Sequence, residues 1–234
     1  MSDLVVFVPS RGRPREAAEV VDALRETCTA DTRLVFAVDG DDPARDDYVN
    51  VAVLKTPGSA AINTQPSGTM VSALNKAALD ITNTYPDTFA VAFMGDDHRP
   101  RTKGWDQAYL DALREMGTGI VYGNDLYQGE KLPTQVAMTS DIIRTLGYMA
   151  PPDLKHMYVD NAWLELGRAI GAIRYLPEVV VEHLHPVAGK GEWDEGYERV
   201  NAPEMYRRDR VVLEKWLRES LPVEAERIRQ LMSR

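Results

Sequence analysis

Cysteine is nearly absent. Cys28 is the one cysteine in 234 residues, which excludes an internal disulfide framework and a cysteine-based zinc site. Histidine is almost as scarce, with four in the chain, so a zinc centre of the multi-histidine hydrolase kind has few ligands to draw on. No apolar run reaches the length of a membrane span. The first apolar run, from Leu4, has neither a basic segment before it nor a small-residue cleavage site after it, so a soluble cytoplasmic protein with no membrane partner is expected. Basic residues are in the minority: 27 Lys and Arg against 36 Asp and Glu leave a net charge of −9. Such a chain is a poor bulk partner for nucleic acid or an anionic membrane. Repeats and low-complexity tracts are missing too, and 44% hydrophobic with 27% charged residues is a globular composition. The length suits one domain over residues 1–200 with a helical extension, 201–234, packed on it.

What is present is an alternation of strand and helix signals. Leu4 to Pro9 is a short apolar run rich in β-branched residues, as in strands buried on both faces. Ser10-Arg11-Gly12-Arg13 reads as a loop. Pro14 then opens a helix to about Glu26 on the stripe Val20, Val21 and Leu24. Leu34 to Val38 predicts a second buried strand, stopped by Asp39-Gly40-Asp41-Asp42-Pro43. Val51 to Leu54 is expected as a short third strand and 55–67 as a loop. Gly68 to Ile81 reads as a helix and Thr88 to Met94 as a fourth buried strand, stopped at Gly95-Asp96-Asp97. Together these predict an α/β fold, a three-layer α/β/α sandwich on a mainly parallel sheet.

The second half predicts helices at Trp105 to Met116, Ser140 to Leu146 and Asp160 to Ala169. Strands are expected at Ile120 to Tyr122, Gln135 to Thr139, Ile173 to Leu176 and Val179 to His183. Gly189 to Gly196 is glycine-rich and charged and reads as a mobile loop. Ala202 to Leu231 is a long amphipathic helical region broken at Pro222. Its apolar residues Val212, Leu213, Trp216 and Leu217 suit either the chain's own core or a homodimer.

In parallel sheets ligands bind beyond the carboxyl ends of the strands. Three of the first four strands end in polar clusters: Ser10-Arg11, Asp39-Asp41-Asp42 and Asp96-Asp97-His98. Two carboxylates about 4–5 Å apart at an effective dielectric near 20 repel by roughly 3–4 kcal/mol. A solvated turn relieves that repulsion, and so does a cation such as Mg²⁺ or Mn²⁺. His183 and His185 are two apart, so on a strand they share a face; they are either metal ligands or ordinary strand-end residues. Asp160 at a helix start suits an N-cap or a general base.

In order and spacing these residues resemble the GT-A-fold glycosyltransferases, close to the family-2 nucleotide-sugar transferases in the compact form seen in phage and actinobacterial proteins. Val6-Phe7-Val8-Pro9-Ser10-Arg11 is similar to that family's first strand and nucleoside loop, which implies donor contacts from Pro9, Ser10 and Arg11. Asp39 is similar to the acidic residue that contacts the base. Ala73-Leu74-Asn75 resembles a small-Arg-Asn helix motif with Leu74 in place of the Arg, implying a donor-side role for Asn75. Phe93-Met94-Gly95-Asp96-Asp97 stands at the D-x-D motif, with Gly95 where the first Asp belongs. Asp97 matches the metal-binding Asp, and Asp96 would face the ribose or donor sugar. Asp160 matches the Asp of the family's Glu-Asp motif, with Val159 in place of the Glu, and by resemblance is the catalytic base of an inverting enzyme. His183, six residues after Pro177, matches the late metal-completing histidine, with His185 as a second candidate.

The resemblance covers about residues 4 to 186. It implies an enzyme that uses Mn²⁺ or Mg²⁺ to move a sugar from a UDP- or GDP-sugar to a hydroxyl on a glycan, protein or modified nucleobase. Arg11, Arg13 or Lys190 would add charge at the phosphates. Loop 189–196, with Trp193, would close over the donor together with Tyr197, and Trp105 and Trp163 would stack on a sugar or pack in the core. Two other readings stay open. A catalytically silent sugar-nucleotide-binding module is favoured by Gly95, Leu74 and Val159. A nucleotidyltransferase of related fold would want a glycine-rich loop that Ser10-Arg11-Gly12-Arg13-Pro14 matches poorly.

Overall fold

A computed structural model describes residues 2–55, 60–64, 68–185, 189–190 and 202–233. Among these the elements run β1 (Leu4–Ser10), α1 (Pro14–Thr27), β2 (Thr32–Val38), α2 (Arg45–Lys55), β3 (Ala60–Thr64), α3 (Met70–Thr84), β4 (Ala90–Phe93), β5 (His98–Pro100), α4 (Trp105–Met116), β6 (Ile120–Asn124), β7 (Val136–Thr139), α5 (Ser140–Leu146), α6 (Val159–Ile170), β8 (Ile173–His183), α7 (Pro203–Glu219) and α8 (Leu221–Met232). The sheet order is β3-β2-β1-β4-β7-β6-β8-β5.

The apolar runs make a three-layer fold because both sides of each strand are covered. Leu4, Val6 and Val8 of β1 join Leu34 and Phe36 of β2 in one core, which packs on Val20, Val21 and Leu24 of α1 and on Trp105 and Leu113 of α4. Val5 and Phe7 point the other way, with Val35, into a core built on α3, α5, α6, α7 and α8. Each such side chain, fully buried, contributes about 1.5–3 kcal/mol. Leu213, Trp216, Leu221 and Ile228 belong to that second core, so the two C-terminal helices are covered by the chain itself. No helix among the described residues is long and apolar enough to cross a membrane.

Strands β1, β2, β3 and β4 pair in parallel. Strand β7 runs antiparallel to both β4 and β6, and β6 pairs parallel with β8. The carboxyl ends of β1, β2, β4, β6 and β8 therefore all reach one edge of the sheet. Short β5 runs antiparallel to β8 and sets His98 opposite His183.

Three expectations need correction. Residues 51–54 are the end of helix α2, not a strand, and the stretch expected as a loop contains β3, which adds to β2 in parallel. The β-branched valines there are a weak prior. The helix start prevails: the Asp42 carboxylate accepts the Ala44 N–H at 2.9 Å, the Asp42 carbonyl accepts that of Arg45, and Asp46 and Asp47 sit in the first turn, where negative charge suits the helix dipole. Fully buried Tyr48 packs on Phe36. The two late strands are one strand, β8, whose register with β6 jumps between Leu176 and Val180. Pro177 lies in that bulge, where a missing N–H does no harm. Gly123 is required opposite it, since a Cβ would lie 2.4 Å from the Val179 carbonyl oxygen. Trp105 and Trp163 are core residues, the second of the two roles expected for them.

The entry to α6 is pinned from a distance. Asp209 of α7 is wholly buried; it accepts the backbone N–H groups of Lys155, His156 and Met157 and pairs with Arg208. Burial alone would raise its pKa, but the backbone donors and Arg208 outweigh that and hold the carboxyl below the ordinary 3.8. Asp209→Ala leaves three N–H groups without their acceptor and should cost about 2–4 kcal/mol, read from urea unfolding. The folded-state pKa is the depressed one, so this contribution is complete above the unfolded value and fades as pH falls through the folded one. The stability gap between wild type and variant should narrow on acidification below about pH 4; a gap that stays constant there would contradict the role.

Candidate active site

Asp96 and Asp97 follow β4, and the β5–β8 register brings His183 to meet them. The Asp97 carboxylate lies 3.1 Å from His98 Nδ1 and 3.2 Å from His183 Nε2. The two imidazoles stack at 4.2 Å between centroids and 17° between planes. Ligand atoms of Asp97, His98 and His183 all fall within 4.8 Å of one another. Burial would raise the Asp97 pKa, but its contacts with the His183 and His98 imidazoles hold it well below the ordinary carboxylate range. Burial lowers His183, and its contact with Asp97 more than reverses this. Burial keeps His98 low.

This donor set fits a divalent cation. Carboxylate oxygen and imine nitrogen both present lone pairs, so their close approach is attractive only with a proton or a cation between them. Ligands about 2.2 Å from a shared ion at right angles are about 3.1 Å apart. Mixed oxygen and imidazole donors admit several divalent metals. Near-parallel rings cannot both aim in-plane lone pairs at one point. His98 Nδ1 already accepts the Gly95 N–H at 3.1 Å, so His183 is the imidazole placed to ligate and His98 the one that backs it. His183 Nδ1 is buried with no hydrogen-bond partner among the described residues.

Gly95 has a steric reason. A Cβ there would lie 2.4 Å from Asp97 Oδ1 and 3.0 Å from His98 Nδ1. An Asp at this position, as in a full D-x-D, would push Asp97 off the cluster.

Neighbouring elements clamp the turn. Buried Arg99 donates to the carbonyls of Asp96 and His98 at 2.6 and 2.8 Å and pairs with Glu19 of α1. Buried Asp125, after β6, accepts the N–H groups of Tyr127, Gln128 and Gly129 on Oδ1 and the Thr134 hydroxyl on Oδ2. Its carbonyl accepts the His183 N–H. None of Arg99, Glu19 or Asp125 stood out in the sequence, and His98 did so only as part of a polar cluster. The one available signal was an Asn-Asp strand end after β6, matching the polar ends of β1, β2 and β4.

At the end of β1, Pro9 leads into Ser10, whose hydroxyl is 2.5 Å from Asp96 Oδ2 and 2.7 Å from the Tyr48 hydroxyl. Arg13 Nη1 is 3.3 Å from Asp96 Oδ1, and its backbone N–H donates to Tyr48. Burial first, then the Asp97 charge, raises the Asp96 pKa. Arg11 instead pairs with Asp39 and Asp41, and Lys190 with Glu182.

Asp160 is the second residue of α6 and not its N-cap; Tyr158, two residues before it, takes that place with φ 64°. Burial raises the Asp160 pKa, and His183 acts on it electrostatically, so Asp160 and the Asp97–His183 cluster lie within electrostatic reach of each other.

Two expected site residues sit apart. Asn75 is spent on the backbone of Met149 and Ala150. It borders a cleft of about 570 Å³ that includes Lys76 and Tyr148 and none of the Asp97 group. His185 lies beyond the end of β8, so strand alternation no longer governs it. It stacks on Tyr127 at 5.7 Å and is not part of the close ligand group. Trp193 and Tyr197, with residues 191–196 of the expected loop, lie outside the described residues.

The fold is the GT-A-like fold of nucleotide-diphospho-sugar transferases, as the solved structures it resembles show. Among solved structures the chain is similar to a mannosyltransferase of Pyrobaculum calidifontis, PcManGT, in complex with GDP-Man and Mn²⁺: 14% identity, TM-score 0.62, 97% of this chain and 72% of that one. It is similar to Staphylococcus aureus TarS 1-349 in complex with UDP-GlcNAc at 11% identity, TM-score 0.67, covering 99% and 71%. In a longer TarS structure it spans 43% of that chain. Glucosyl-3-phosphoglycerate synthase of Mycobacterium tuberculosis, in complex with Mn²⁺ and UDP, matches at 15% identity and TM-score 0.61, covering 91% and 78%. No family model and no curated protein sequence matches the chain.

Proposed function

We propose that this protein is a metal-dependent glycosyltransferase that moves a sugar from a UDP- or GDP-sugar to an acceptor hydroxyl with inversion. One observation carries the reading. A carboxylate and an imidazole far apart in the sequence, Asp97 and His183, meet at the ligand-binding edge of a GT-A sheet with half-buried Asp160 in electrostatic reach. Mn²⁺ on Asp97 and His183 would neutralise the charge that builds on the departing diphosphate. Pro9, Ser10, Asp39 and Asp96 would border the nucleoside. Arg13, held against Asp96, is the nearer cation for phosphate, since Arg11 is committed to Asp39 and Asp41. Asp160, with its pKa raised by burial, would take the acceptor proton as the new bond forms.

The test is a thermal-shift panel of UDP-, GDP- and TDP-sugars with and without Mn²⁺, followed by a donor-hydrolysis assay on any hit. A ligand at a hundred times its Kd adds about 2.7 kcal/mol, which is several degrees of Tm at this size. Stabilisation that needs both sugar nucleotide and Mn²⁺ is expected. Stabilisation without turnover would make the chain a binding module, and no stabilisation by any member would refute the reading.

A further inference from the structure

Leu126 and Tyr158 are the non-glycine residues with positive φ among the described residues, at 57° and 64°. Both lie beside the candidate site, and each sets a tyrosine there. Leu126 precedes Tyr127, whose ring is 41% exposed, stacks on His185 at 5.7 Å and meets His183 edge-on at 6.4 Å. Three N–H bonds to Asp125 lock that loop in place. Tyr158 is the residue before the first turn that carries Asp160, and its ring meets Tyr206 of α7 edge-on at 6.2 Å. Tyr206 is 40% exposed. Burial raises its hydroxyl pKa, and Tyr158, Asp160 and Tyr127 add to the rise, so Tyr206 lies within electrostatic reach of Asp160 and of both other tyrosines. Unfavourable backbone held rigid beside a reactive group is the mark of a purposeful geometry.

We propose that Tyr127, Tyr158 and Tyr206 form the acceptor platform, and that it takes an uncharged sugar ring. The inference rests on the glycosyltransferase reading. Tyrosine faces are flat, apolar surfaces with a polar tip, which suits the C–H face of a pyranose whose hydroxyl is turned to Asp160. Anionic acceptors are disfavoured by charge. Among the described residues no lysine or arginine is ion-paired with Asp160, and the arginines flanking Tyr206 on α7, Arg207, Arg208 and Arg210, pair with Glu204, Asp209 and Glu214. A nucleobase would also stack on these rings, but its phosphates would have to draw those arginines away from their carboxylates.

The probes are methyl α- and β-pyranosides and short neutral oligosaccharides, with 3-phosphoglycerate and a pentathymidylate as charged comparators. Binding is read by saturation-transfer NMR and calorimetry on the full chain with Mn²⁺ and UDP or GDP present. A neutral saccharide should bind through its ring C–H protons. Tyr127→Ala and Tyr206→Ala should each weaken it at least tenfold, and Tyr206→Phe should keep most of the affinity. If no saccharide binds while the nucleotide does, or if a charged comparator binds instead and is lost in the alanine variants, the platform assignment is wrong. Nucleotide binding is measured in its own arm. Its absence refutes the donor reading, and the saccharide arm still decides the platform.

Discussion

Asp97→Ala should abolish Mn²⁺-dependent donor binding and lower transfer by at least about a hundredfold, since a Lewis-acid cation is worth several kcal/mol to a departing diphosphate. The expectation follows from where the carboxylate stands. It touches both imidazoles of the cluster, through Oδ1 to His98 and Oδ2 to His183. The surrounding turn is held by Arg99 through backbone carbonyls rather than through the Asp97 side chain, so the variant should stay folded. Calorimetry with Mn²⁺ and the donor nucleotide reads the loss, and circular dichroism checks the fold. Wild-type activity undiminished in excess chelator would count against the metal role.

Asp160→Asn has the second largest expected effect. A positioned general base contributes roughly 10²–10⁴-fold, and Asn keeps the shape while losing the basicity. Transfer should fall by that amount while calorimetric donor binding is spared. The pH profile carries the sign. Burial raises the Asp160 pKa above 3.8, so with Mn²⁺ saturating, transfer should drop on acidification through a carboxyl value above the ordinary one. That limb should vanish in the variant. Full transfer activity in Asp160→Asn would refute the assignment. Product-anomer NMR tests the stereochemistry separately, since a base acting on the acceptor predicts inversion.

Local chemistry explains which elements were legible. Helices α4 and α5 begin and end at the residues expected because Gly104, Gly117 and Gly147 punctuate them. Strands β1, β2 and β4 are continuous apolar runs. Helix α2 was not legible, because its anchors are Asp42, which acts through backbone N–H groups, and Tyr48, which buries against a strand. The Asp97–His98–His183 cluster was half legible. Asp97 and His183 were expected to meet, whereas His185 lies apart because β8 ends at His183. Asn75 matched a motif by type, yet its amide holds the backbone at 149–150.

From its residues alone, this chain was committed to a layered α/β domain with acids at the strand ends, since hydrophobic period and turn chemistry act within a few residues of each other. Which groups share a site was decided only by tertiary structure. Asp97 and His183 lie 86 positions apart and meet because β5 and β8 pair in one register, and a shift of one residue would turn His183 to the opposite face. Burial, too, belongs to the assembled layers. It raises Asp96 and Asp160, while imidazole contacts hold Asp97 ionised, so that carboxylates alike in the sequence become different acids in the fold.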